Sequence, residues 1–172
     1  MKQEVQTPCY VIDNKALDKN ISDFVDALKT AWPNSQLAFS VKTNSLPWLL
    51  KYLHTKKVFA EVVSDEEYEL AIKCGYTPKE IIFNGPIKGK RIFIEAINNG
   101  SIVNMDSKKE LKLLQDNGFK QLDNIGVRVN LDTSLFDSKD VGYLDDGFRF
   151  GFSDSNSDLK KAFSTVNDIN KK

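Results

Sequence analysis

Leu37-Ala38-Phe39-Ser40-Val41-Lys42-Thr43-Asn44 is a short apolar run that ends on a lysine and passes at once into a polar loop, Asn44-Ser45-Leu46-Pro47. Its length suits a strand, and Pro47 suits the first turn of a helix that carries Leu49, Leu50 and Leu53. A strand ending in this way and turning into a helix can present its lysine at the mouth of a barrel. A desolvated lysine amine is a Schiff-base nucleophile. The competing reading is a solvated lysine at a strand end, which is the common situation for this residue.

The same unit recurs along the chain. Val58 to Val63 reads as a strand, and Ser64-Asp65-Glu66-Glu67 has the spacing of a helix N-terminus with serine at the cap and glutamate three residues on. That helix ends at Gly75, a plausible left-handed terminator. Ile81-Ile82-Phe83 is the next strand, followed by Asn84-Gly85-Pro86 and a helix from Gly89 to Asn99 that stops at Gly100. Ile102 to Met105 is a strand. Ser107-Lys108-Lys109-Glu110 repeats the capping spacing, and its helix stops at Gly118. Ile125 to Val129 is a further strand, and Asp154 to Ile169 reads as a helix with Leu159, Ala162, Phe163, Val166 and Ile169 on one face. Before the first unit, Cys9-Tyr10-Val11-Ile12 reads as a strand and Asn14 to Ala31 as an amphipathic helix.

Strand ends therefore fall near Lys42, Val63, Asn84, Asp106 and Asn130, about 21 to 24 residues apart. This is a βα repeat, which implies parallel strands with helices outside them. Both a flavodoxin-like open sheet and a (β/α)8 barrel accommodate five such units. No Gly-x-Gly-x-x-Gly follows any strand, which counts against a dinucleotide-binding sheet and favours the barrel. A complete barrel of this kind takes ~250 residues, so the 172 residues of this chain predict an α/β fold containing a partial (β/α)8 TIM-type barrel of about five βα units, preceded by an N-terminal strand.

Composition narrows the function. Lys plus Arg and Asp plus Glu balance at 24 each, giving a formal net charge of zero, and the basic residues are scattered. Neither a nucleic-acid footprint nor a membrane-surface patch is indicated. No run approaches the ~18 apolar residues of a membrane span, and Met1 to Gln6 has no apolar signal region. Cys9 and Cys74 are far apart, with His54 as the one histidine, so a zinc site is not expected, and two free thiols in a reducing cytoplasm is the natural reading. The expected location is cytoplasmic.

In a barrel the chemistry sits at the C-terminal ends of the strands. The candidates there are Lys42, Asn44, Glu61, Ser64, Asn84, Lys88, Asp106, Arg128 and Asn130. A lysine and an arginine in one mouth suit an anionic ligand with a carbonyl. Each has a plainer reading. Glu61 can face solvent or an ion-pair partner, Ser64 and Ser107 are explained as caps, and a strand arginine such as Arg128 is commonly a structural ion pair. His54, beside Lys56 and Lys57, reads as a surface histidine. Asp132, Asp137, Asp140, Asp145 and Asp146 lack the ligand order of a calcium loop and read as a solvated acidic loop.

Taken in order, the motifs resemble those of the fold-type III pyridoxal-phosphate-dependent amino-acid decarboxylases, of the diaminopimelate and ornithine decarboxylase kind. Thr7-Pro8-Cys9-Tyr10-Val11-Ile12-Asp13 is similar to their opening segment, and Ser40-Val41-Lys42-Thr43-Asn44 to the segment that carries the cofactor lysine. Ala60-Glu61-Val62-Val63-Ser64 with Glu67 and Leu70, Ile82 to Lys88, and Val103 to Ser107 with Glu110-Leu111 resemble the strands that follow. Val127-Arg128-Val129-Asn130, with Leu131 where the family has proline, and Arg149-Phe150-Gly151-Phe152 complete the series.

The resemblance implies that Lys42 holds pyridoxal 5'-phosphate as a Schiff base, that Glu61 and Arg128 lie near the cofactor, and that the substrate is a small basic or diamino acid. The family's later histidine strand, glycine-rich phosphate loop and C-terminal β-domain have no counterpart in the sequence. Residues 1–172 are thus expected to be an incomplete pyridoxal-phosphate-binding barrel domain, an N-terminal fragment inactive alone and part of a homodimer in full-length form. Two alternatives stay open: a non-catalytic homologue that regulates a full-length decarboxylase, and a fold-type III amino-acid racemase. A barrel left open at the strand Ile125 to Val129 is also expected to show an unpaired edge and to associate.

Overall fold

The computed structural model describes residues 7–131, 150–153 and 157–171. It divides into two compact units, one up to Leu37 and the other from Ala38 onward. In the first, Asp13 starts helix α1 (Asn14–Ala31) by accepting the Lys15 and Ala16 amides on Oδ1 at 2.9 and 3.1 Å. That side-chain acceptor satisfies two of the amides a helix start leaves open. The expected strand from Cys9 to Ile12 does not form. Those residues are irregular, with Tyr10 and Val11 exposed, because a strand exists through its ladder partner and none is present among the described residues.

In the second unit, β1 (Ala38–Ser40), β2 (Phe59–Val62), β3 (Ile81–Phe83), β4 (Ile102–Met105) and β5 (Ile125–Val127) form one parallel sheet in the order β1-β2-β3-β4-β5. Between them lie α2 (Pro47–Thr55), α3 (Asp65–Lys73), α4 (Lys90–Asn98) and α5 (Lys108–Asp116). Strictly sequential order decides between the two architectures that the βα repeat allowed. A flavodoxin-like sheet reverses direction at a switch point and has order 2-1-3-4-5, whereas a barrel adds each strand beside the last.

Period-two alternation sorts the side chains onto two faces. Ala60, Val62, Ile81, Phe83, Val103 and Met105 have no exposed surface and pack against the helices, with Leu50, Tyr68, Phe93 and Ala96 among their buried partners. This face holds the core, each large side chain contributing roughly 1.5–3 kcal/mol by its burial. The opposite face carries Phe59 and Glu61, Ile82 and Asn84, Ile102 and Asn104, and Gly126, all half-buried. This is the face a barrel turns inward.

The helices start where the capping spacing predicts. The Ser64 hydroxyl accepts the Glu67 amide at 3.3 Å, while the Glu67 carboxylate takes the Val63 amide at 2.9 Å, one residue earlier than a reciprocal box requires. At α5 the box is complete between Ser107 and Glu110. Helix α4 begins at Gly89, whose amide donates to Asp65 at 3.0 Å.

The strand expected from Ile125 to Val129 is interrupted at Arg128 and changes partner there. The Arg128 amide donates to Met105 at 2.9 Å, on the β4 side, and its carbonyl accepts from Phe152 at 2.7 Å, on the other. Beyond it, β6 (Val129–Asn130) pairs in parallel with β7 (Phe152–Ser153). The expected unpaired edge is therefore covered along β6, where β7 pairs with it in a separate two-stranded ladder. Helix α6 (Asp158–Asn170) follows; its Asn170 amide group bonds both the amide and the carbonyl of Leu122. No helix among the described residues is long and apolar enough to cross a membrane.

Candidate active site

At the C-terminal ends of the strands lies a cavity of about 670 Å³, lined by Lys42, Glu61, Asn84, Asn104, Asp106 and Arg128 together with Phe150. Local sequence explains how each side chain arrives there. Val41 is fully buried and anchors a single 3-10 turn, Val41–Thr43, whose geometry is fixed by the Thr43 hydroxyl on the Ser40 carbonyl (2.7 Å) and the Asn44 amide on the Val41 carbonyl (3.1 Å). With Val41 packed into the core on the helix side, Lys42 emerges at the mouth. Its side chain is exposed, not desolvated as a buried nucleophile would be. Asn44 serves the chain itself, its side chain accepting the Leu46 amide just before α2.

The floor of the cavity is a polar row across three strands. Asn84 donates from Nδ2 to Glu61 Oε1 at 2.7 Å, and Asn104 donates from Nδ2 to Asn84 Oδ1 at 2.6 Å. Glu61 pairs in register with Ile82, so Asn84, two residues on and on the same face, reaches it diagonally, while Asn84 and Asn104 follow the pairs Phe83–Val103 and Ile82–Ile102 in step. Glu61 is half-buried and held by the Asn84 amide group, with no ion-pair partner among the described residues. Gly85 lets the backbone turn tightly after Asn84. Its φ is +92°, and a β-carbon there would overlap the Val63 carbonyl, so a side chain is excluded on both counts.

The far wall is built on Asp106, which is buried. Its Oδ2 accepts from Arg128 Nη1 at 2.9 Å and its Oδ1 accepts the Gly151 amide at 2.8 Å. The guanidinium lies 5.0 Å from the centroid of the Phe150 ring. Arg128 therefore makes a structural ion pair and still borders the cavity, its side chain 42% exposed. A guanidinium has five donors, so one bond to Asp106 leaves capacity for an anion.

Other candidates lie elsewhere. Lys88, expected at the mouth, points into the protein wall: its ammonium has no exposed surface and meets Glu110 Oε1 at 2.8 Å. Asn130 lies on β6, outside the cavity lining. His54 is half-buried, its ring centroid 4.7 Å from that of Tyr76 and its Nε2 3.4 Å from Glu80. The acidic residues Asp132, Asp137, Asp140, Asp145 and Asp146, and Arg149, lie outside the described residues. Both cysteines are free thiols. Asn104 was absent from the sequence candidates, although its parity with Ile102 puts it on the inward face.

Residues 18–170 match the family described as pyridoxal-dependent decarboxylase, pyridoxal binding domain. The chain belongs to that family. It is 28% identical over 152 residues to the diaminopimelate decarboxylase of Aquifex aeolicus, covering 87% of this chain and 34% of that protein. With the diaminopimelate decarboxylase of Campylobacter jejuni it shares 30% over 151 residues, covering 86% and 36%. Among solved structures, the Helicobacter pylori diaminopimelate decarboxylase complexed with L-lysine is 27% identical with a TM-score of 0.62, covering 74% of this chain and 33% of that one. The M. jannaschii diaminopimelate decarboxylase, at 23% identity and a TM-score of 0.77 over 95% of this chain and 39% of that chain, supports the fold. The chain thus spans about a third of the length of the curated relatives it matches.

The cofactor of the family is pyridoxal phosphate, and the donor set of the cavity fits it. An amine stands at one side for an aldehyde, a cation at the other for an anion, and the amide and carboxylate floor supplies partners for ring substituents.

Proposed function

We propose that residues 1–172 are the lysine-bearing, incomplete barrel part of a pyridoxal-phosphate-dependent amino-acid decarboxylase. Its substrate is a basic or diamino acid, and the chain alone does not turn over. Lys42 is the residue that holds the cofactor, and Glu61 and Arg128 line its site. The observation that carries this reading is the shared cavity of Lys42, Glu61 and Arg128 at the C-terminal strand ends, where barrel enzymes keep their chemistry. The substrate class is supported by the relatives, which are named as decarboxylases of diaminopimelate. That the chain alone does not turn over is supported by its covering 34% and 36% of those two relatives.

In this reading the bound cofactor supplies an electron sink for the electrons released as the α-carboxylate departs. The protein's part is placement. The Lys42 amine would hold the cofactor at its aldehyde. The Glu61 carboxylate, fixed by Asn84, accepts a hydrogen bond at the floor. Arg128, pinned by Asp106, offers its remaining N–H groups to an anionic group. The Phe150 ring lies 5.0 Å from the guanidinium and supplies a cation–π neighbour on one side.

The test is reduction with borohydride after incubation with pyridoxal phosphate, followed by peptide mapping. A single label on Lys42, lost in Lys42→Ala, is the expected result. A label on another lysine overturns the assignment, and no label on any lysine favours a non-catalytic regulatory homologue.

A further inference from the structure

The Lys88 ammonium is wholly buried, and its three donors meet three acceptors: the Gly85 carbonyl at 2.6 Å, the Asn104 carbonyl at 2.8 Å and Glu110 Oε1 at 2.8 Å. The group is saturated. Glu110, also buried, turns its second oxygen to the Asp106 amide at 2.6 Å and the Ser107 amide at 2.9 Å. Asp106 in turn holds Arg128 and the Gly151 amide. One continuous chain of charge-assisted hydrogen bonds thus runs from the loop after β3, under β4, to Arg128.

A buried ion pair is a weak device for stability, since a well-packed apolar pair of the same volume does as well or better. What it supplies is a single arrangement, because each partner leaves an uncompensated charge if the geometry shifts. Here the arrangement concerns the cavity on both sides. The Asn104 carbonyl that Lys88 holds belongs to the residue whose side chain ends the polar floor. The Asp106 amide that Glu110 holds belongs to the residue whose side chain aims the guanidinium.

We infer that Lys88, through Glu110 and Asp106, is a positioning residue for Arg128; its weight in cofactor binding rests on the function proposed above. Lys88 touches no ligand. Its role is to fix the main chain of Asp106, so that the carboxylate meets Arg128 at one side of the mouth.

The experiment reads Arg128 directly. Phenylglyoxal modifies exposed guanidinium groups, and mass spectrometry gives the rate at Arg128 relative to Arg91 in the same sample, a surface residue whose side chain is 71% exposed. Lys88→Met reads the lysine itself, since Glu110 keeps its bonds to the Asp106 and Ser107 amides, and a ratio that rises only when Glu110 is also removed overturns the inference; Lys88→Met with Glu110→Leu removes both charges together with those two bonds. In both variants the Arg128 rate rises about tenfold over native, as expected when a charge-assisted hydrogen bond is lost, and approaches that of Asp106→Asn. Leu50→Ala, which opens the core in α2 away from this chain of contacts, leaves the ratio unchanged and controls for general loosening. An unchanged ratio in either variant overturns the inference, as does an equal rise in Leu50→Ala. Borohydride trapping at Lys42 is read separately, so failure of the cofactor assignment leaves the Arg128 rates to decide this point.

Discussion

Asn104 on β4 and Gly126 on β5 are register partners, and the amide oxygen of Asn104 occupies the volume that a β-carbon on residue 126 would need. The glycine is there for close approach, not for an unusual backbone angle. It lets Asn104 lie along the sheet and reach Asn84, extending the polar floor from Glu61 across the inward face.

Gly126→Ala therefore displaces the Asn104 amide from Asn84 and costs ~1 kcal/mol, the worth of the hydrogen bond it breaks. The effect is specific to that pair. In an Asn104→Ala background the same substitution costs far less, and the coupling appears as non-additivity in a double-mutant cycle. Urea unfolding of the four proteins measures it. Additive losses would show that Gly126 is required for some other reason.

The repeat of strands and caps was legible because its signals are local. Ser107 and Glu110 are three residues apart, and their box forms as written. Cys9 to Ile12 failed because a strand is defined by its partner, which no local signal reports. Lys88 shows the limit for the site. Its place after a strand end is a local signal, but a loop has no periodicity to say which way a side chain turns. The spacing Ser107 to Glu110 accounts for a cap, and a cap uses one carboxylate oxygen and says nothing of where the other points. Asn104 was within reach of the sequence: it is two residues beyond Ile102 and level with Gly126, and only parity and register together mark it.

Tyr76 makes the alkaline limb of stability predictable. Burial above all, with Cys74 and Glu80 nearby, pushes its hydroxyl up from 10.0 to about 12, and that hydroxyl donates to the Leu50 carbonyl at 3.0 Å. A pKa raised by folding means the folded state keeps its proton where the unfolded state has lost it. The contribution is complete below pH 10.0 and is lost as pH rises toward 12. Tyr76→Phe is less stable at neutral pH, by roughly 1 kcal/mol for the lost hydrogen bond, and lacks this part of the alkaline decline. Unfolding curves between these pH values measure the difference in slope.

Glu80 governs part of the acid side. The Thr77 amide and then the Thr77 hydroxyl, each 2.8 Å from its carboxylate, hold its pKa below 4.5, with a smaller contribution from His54. Here folding lowers the pKa, so the stabilisation is present above 4.5 and disappears as pH falls through the folded value. The native protein is accordingly more stable than Glu80→Gln near neutrality, and the gap closes in acid. A gap that stays constant down to the acid transition would assign the difference to shape and not to charge.

The two faces of the sheet make the last prediction. Outward-facing Ala60, Ile81 and Val103 have no exposed surface, whereas inward-facing Phe59, Ile82 and Ile102, one residue away, are only half-buried. A half-buried sheet face with apolar side chains beside an edge strand, β1, is a surface that pairs with other chains. The chain is therefore expected to self-associate, with a mass by light scattering that climbs with concentration. Ile82→Lys places a charge on the inward face and leaves the helix-packed core intact, so it reduces association while the protein still unfolds cooperatively. A native chain that stays monomeric at every concentration would mean that the inward face is covered, and Ile82→Lys would then destabilise the fold instead of dispersing it.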